Sequence, residues 1–134
     1  ILSRAELVWH AERTFRNYIK SLAPYFNLDL DGYSISVSNR CRFDLQKRSI
    51  DLPVWLIGMQ PDMRERFIVT MLTRMDGSDK YFRNRLERNL SLTGLDSVPA
   101  PSGFCLFQIF KSWETALFDE QGKQKIRYEG TILD

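Results

Sequence analysis

The sequence predicts an α+β domain in which an antiparallel sheet of four to six strands is covered by a long N-terminal helix and a middle helix pair. Three observations carry this expectation. Apolar residues recur at helical spacing near the N-terminus and again between residues 62 and 90. Apolar and polar residues alternate between residues 33 and 52. The strand-like stretches cluster instead of alternating one by one with helices, which disfavours a doubly wound parallel sheet.

The first helix opens at Ser3, because Ser3-x-x-Glu6 has the spacing of a capping box. Leu7, Val8, Ala11, Phe15, Tyr18, Ile19 and Leu22 form its apolar side, with Arg13, Arg16, Asn17 and Lys20 opposite. Pro24 ends it, since the residue before a proline is pushed out of the helical region. Asp29-Leu30-Asp31-Gly32 reads as a turn. Tyr33, Ile35 and Val37 alternate with serines, and Cys41, Phe43 and Leu45 alternate with Arg42 and Asp44. Gln46-Lys47-Arg48 fits a hairpin turn, although the usual glycine is missing. Residues 49–52 form the return strand, which Pro53 should stop or push to an edge.

Asp62 opens the next helix, whose buried stripe is Phe67, Ile68, Met71, Leu72 and Met75, and Asp76-Gly77 closes it. Ser78 is placed to cap a short third helix carrying Phe82, Leu86 and Leu90. Residues 91–103 form a long loop rich in proline, glycine and serine, and it is not a domain boundary. Residues 104–110 are apolar on both faces and read as a central strand. Residues 113–118 and 125–132 flank a glycine-containing loop and read as a hairpin.

The chain of 134 residues is the size of one domain, spanning 1–134, and it is large enough to bury a core without a metal or disulfide. Apolar residues make up 43% and charged residues 27%, as in ordinary globular domains. A net charge of +2 and a pI near 8.6 force neither a nucleic-acid nor a membrane reading. No apolar run approaches the roughly 20 residues of a membrane span, so membrane insertion is not expected. Ile1 stands where an initiator methionine would, so the chain reads as processed, trimmed or incompletely described, and no signal-peptide pattern follows it. Cys41 and Cys105 read as two buried free thiols in the cytoplasm or another reducing intracellular compartment.

Signatures of local chemistry are missing. His10 is the one histidine, so no H-E-x-x-H pair can hold zinc, and the helix after residue 61 has no ligand pair. His10 reads as a surface or boundary histidine bonded to a carboxylate or hydroxyl. Asp29 and Asp31 fail an EF-hand pattern, because Tyr33 and Arg40 stand where oxygen ligands are needed. No glycine-rich phosphate loop exists. No cofactor and no metal are expected.

Arginine is the conspicuous feature, supplying thirteen of the nineteen basic residues. Arg40, Arg42, Lys47 and Arg48 cluster against Asp44, and Lys80, Arg83, Arg85 and Arg88 cluster against Glu87. On the third helix Tyr81, Arg85 and Arg88 fall within about 60° of one another. Arginine and tyrosine are what protein interfaces select, so Tyr81, Arg85, Arg88 and the tryptophan after Pro53, Trp55, are the expected partner-binding residues. Trp9 lies beside the buried stripe and is also expected at the surface. The leading expectation is a non-enzymatic interaction module, a structural or assembly subunit that binds other protein chains, its own copies included. Two alternatives stand beside it. One is a nucleic-acid-binding domain using Arg40, Arg42, Lys47, Arg48, Lys80 and Arg83. The other is a small enzyme whose carboxylate and arginine site is assembled only by the fold, which a concave pocket holding a carboxylate of strongly raised pKa would support.

Overall fold

A computed structural model describes residues 3–26, 28–38, 41–77 and 81–99; within them the Trp55 side chain is outside the description. Helix α1 spans Arg4–Leu22. Strands β1 (Ser34–Ser38), β2 (Arg42–Asp44) and β3 (Ser49–Pro53) follow, then helices α2 (Pro61–Met75) and α3 (Phe82–Leu92). Short 3-10 turns occupy Ala23–Tyr25 and Val54–Gly58. The mixed α+β class is therefore present.

Ser3 caps α1 as its spacing requires. Its Oγ accepts from the Glu6 amide at 3.2 Å and donates to Glu6 Oε1 at 3.1 Å. Leu7, Ala11, Phe15, Ile19 and Leu22 make the buried stripe, and Val8 and Tyr18 pack half-buried at its margin. The stripe meets a core built from Ile35, Ile50, Leu52, Leu56, Ile57, Ile68 and Leu72. Burying such side chains stabilises by about 1.5–3 kcal/mol each.

The described sheet has three strands in the order β1-β3-β2. β2 and β3 form the expected antiparallel hairpin, but β1 runs parallel to β3. This corrects the expected all-antiparallel sheet. Residue alternation reveals a strand's faces, not its neighbour, and β1 takes the edge of β3 that the hairpin leaves open. The count of four to six strands relied on residues 104–110, 113–118 and 125–132, which lie outside the described residues. Pro53 ends the central strand, opposite Ser38, and does not mark an edge.

The hairpin turn forms without glycine because Asp44 Oδ1 accepts from the amides of Gln46 and Lys47, at 2.9 and 3.0 Å. Arg48 itself takes the left-handed conformation, with φ at 54°. A non-glycine residue there costs roughly 1–2 kcal/mol. The alternation at Cys41, Phe43 and Leu45 does not produce burial: all three are exposed. They lie on or next to a three-residue strand at the edge of the described sheet.

Helix α2 starts one residue before Asp62, with Pro61 in its first turn. It buries more than the expected stripe, adding Arg64, Val69 and Thr73 and leaving Phe67 half-buried. Ser78 lies outside the described residues, and Tyr81 precedes α3 at φ 60° without a side-chain cap. The helix continues to Leu92, into the expected loop. Gly94, at φ 73°, then turns the chain so that the Leu95 amide donates to the Leu90 carbonyl at 2.8 Å, and Leu95 is buried. Residues 93–99 are thus a packed helix ending. None of the described helices is long and apolar enough to cross a membrane.

Candidate functional site

Tyr81 is 66% exposed, and Arg83 and Arg88 are exposed. Arg85 does not join them. Its Nη1 donates to the Thr73 carbonyl at 2.9 Å, in the last turn of α2, and a Cβ on Gly77 would come within 3.3 Å of that nitrogen. It therefore ties α3 to the end of α2, where carbonyls lack helical partners. Periodicity puts Arg85 beside Tyr81 and Arg88 but does not register that the end of a neighbouring helix reaches it first.

The cluster at 40–48 is partly matched by carboxylates. Arg42 Nε bonds Asp51 Oδ2 at 2.8 Å across the hairpin. Arg48 Nη2 lies 3.3 Å from Asp29 Oδ2, and its guanidinium sits 5.5 Å from the Tyr33 ring centre. Lys47 is exposed. Arg40 and Lys80 lie outside the described residues, as does the Trp55 side chain. Asp29 also accepts from the Asp31 amide at 3.1 Å, the role of a turn residue.

The fold assembles a cleft of about 430 Å3 between α1 and α2. His10, Arg13, Thr14, Asn17 and Tyr18 line it from α1, and Arg64 and Glu65 from α2, over a floor of Phe15 and Ile68. Arg64 is only 5% exposed, and its guanidinium lies 5.7 Å from the Phe15 ring centre. Burial pushes the Glu65 carboxyl above its usual range; Asp62 adds to the rise and Arg64 opposes it. Burial also pushes the Tyr18 hydroxyl up, helped by the Glu65 charge. A guanidinium and a carboxylate about 60 residues from the start of α1 are thus set against its polar side by packing alone.

Trp9 stands beside the cleft and is 56% exposed. The His10 ring meets it edge-on at 4.9 Å, and the Arg13 guanidinium lies 5.9 Å from its ring centre. Both neighbours line the cleft. His10 is half-buried, and the hydroxyl contact it makes is through its carbonyl, which accepts from Thr14 Oγ1 at 3.1 Å. The spacing Trp9-x-x-x-Arg13 was visible in the sequence as an i, i+4 pair. The burial of Arg64 and the position of Glu65 had no sequence signal.

A second concavity of about 420 Å3 lies between β2 and α2, where Cys41, Phe43, Phe67 and Met71 meet Arg42, Thr70 and Arg74. Cys41 is exposed, against the expectation of a buried thiol. The atoms around its sulfur still desolvate it enough to push the thiol pKa up, the opposite of what a nucleophilic cysteine needs. Among the described residues no three His, Cys, Asp or Glu side chains gather as a metal-binding group. Comparison with family models, with curated proteins and with solved structures finds no match to this chain.

Proposed function

We propose that this chain is an interaction module, a subunit of a larger protein assembly, that binds another protein chain through Trp9 and the adjoining α1–α2 cleft. One observation carries the reading: a large, exposed indole is flanked by His10 and Arg13 beside a concavity. Interface anchors are typically tryptophan, tyrosine and arginine next to a pocket. A ring flanked by two neighbours has less conformational freedom to lose on binding than an isolated one. Tyr81 and Arg88 on α3 offer a second, smaller contact. The free thiol of Cys41 fits a reducing intracellular compartment.

The test compares full-length protein with Trp9→Ala and Tyr81→Ala, measuring mass in solution at two protein concentrations and affinity for co-purifying chains. Trp9→Ala should weaken association by at least about 2 kcal/mol, roughly 30-fold, and Tyr81→Ala by less. A strict monomer that keeps no partner, or a partner held equally well by Trp9→Ala, would remove the reading.

The enzyme reading asks for a strongly raised carboxylate pKa, and Glu65, in the cleft beside the buried Arg64, moves in that direction. A carboxyl held protonated above its usual range can give a proton to a bound group. Glu65→Gln separates the two readings: it removes an acid but leaves Trp9 and its neighbours in place. The nucleic-acid reading has less support, because Arg42 and Arg48 are already engaged by Asp51 and Asp29. Binding that falls steeply with salt would restore it.

A further inference from the structure

The groove between β2 and α2 lies on a different face of α2 from the Trp9 cleft. At 100° per residue, the mean direction of Phe67, Thr70, Met71 and Arg74 is about 115° from that of Arg64, Glu65 and Ile68, and Met71 borders the two sets. Its apolar surface comes from Phe43, 37% exposed, and from Phe67 and Met71. Among the described residues β2 is also an edge strand. An edge beside an apolar groove is a template for a further extended segment.

The path of the chain indicates which segment. The last described turn is fastened to the same helix: Arg66 Nη1 donates to the Val98 carbonyl at 2.8 Å, and Arg66 lies one turn before the groove residue Thr70, whose hydroxyl donates to the Arg66 carbonyl at 2.8 Å. The polypeptide therefore leaves its described part beside a wall of the groove, with residues 100–134 still to follow. Residues 100–103 can span about 14 Å when extended. Next comes Phe-Cys-Leu-Phe-Gln-Ile-Phe at 104–110, with Gln108 as its one polar residue. A link this short gives the run an effective concentration on the order of millimolar at the groove, above that of a second copy in dilute solution.

We infer that residues 104–110 dock in the groove of their own chain, laying apolar side chains over Phe43, Phe67 and Met71 alongside the β2 edge. The run covers the apolar patch and occupies an edge that would otherwise recruit other chains.

The two cysteines supply the probe, because Cys41 lines the groove and Cys105 is the second residue of the run. Full-length protein under reducing conditions is treated with a short bismaleimide and mapped by peptide mass. The expected result is a Cys41–Cys105 link within monomers, unchanged on serial dilution and lost in Cys105→Ser. A second measurement follows the alkylation rate of Cys41 by a monofunctional maleimide. Phe107→Asp, checked for retained helix by circular dichroism, should raise that rate several-fold. Links found only between chains and fading on dilution would assign the groove to a second copy and overturn the inference. Alkylation of both thiols without any link, or an unchanged Cys41 rate in Phe107→Asp, would also overturn it. Neither experiment touches Trp9 or its cleft, so the outcome is independent of the interaction reading above.

Discussion

The Arg85 guanidinium donates to the main-chain carbonyl of Thr73 at 2.9 Å, and the Thr73 hydroxyl, in turn, accepts from Asn89 Nδ2 at 3.0 Å. Thr73 is fully buried and Asn89 nearly so. Two residues of α3 thus converge on one residue near the end of α2. Arg85→Ala should destabilise the fold by about 1.5–3 kcal/mol, the range for a hydrogen bond from a charged group. Urea unfolding checks it, with an unchanged slope against urea showing that only stability has moved. Arg88→Ala, on the exposed side of the same helix, should stay within about 0.5 kcal/mol. Equal effects of the two would contradict the internal role of Arg85.

Phe15 lies at the centre of the contact between α1 and the core and under the buried Arg64 guanidinium. Phe15→Ala should cost about 3–5 kcal/mol, through lost burial and the cavity left behind. Thermal unfolding followed by circular dichroism reads the loss. A change below about 1 kcal/mol would mean that the α1–α2 packing described above is wrong.

Glu65 has a pH signature whose sign is fixed by its environment. Its folded pKa is raised, so the folded state holds its proton more tightly than the unfolded chain does. The stability this gives is fully present below the ordinary glutamate pKa of about 4.3 and is lost as pH rises through the folded value. Glu65→Gln removes the titration. The variant should therefore gain stability relative to the parent between about pH 4 and pH 7, as read from urea unfolding at each pH. A constant difference across that range would show that the cleft does not desolvate Glu65.

Gly32 stands in the turn before β1 with φ at 77°, and a Cβ there would meet no atom within 4 Å. Its role is conformational, not steric. Gly32→Ala should cost about 1 kcal/mol by urea unfolding, and Gly32→Asn less, since asparagine tolerates the left-handed region. An alanine variant as stable as the parent would contradict the turn geometry.

The helices were legible because their order is local. The Ser3 cap, the stripe from Leu7 to Leu22 and the stripe of α2 are set by spacing within one element. The sheet was less legible, because β1 pairing parallel to β3 depends on which edge the hairpin leaves open. The hairpin turn was visible in outline, but Asp44, two to three residues ahead of the amides it satisfies, does the work expected of a glycine. At the candidate site Trp9 was readable as a residue beside the buried stripe. Arg64 was not, since nothing in a charged residue's sequence neighbours says that a helix will bury it against Phe15. Arg85 carried the right spacing for an outward face and was claimed instead by Thr73.

The central claim, that Trp9 and its cleft meet another protein, is tested most directly by placing a photoreactive residue at position 9 of the full-length chain in its native cells. The account expects one discrete protein adduct, diminished when Arg13→Ala is added and not reproduced from the exposed position 84 on α3. No adduct from position 9, or the same pattern of adducts from both positions, would contradict it.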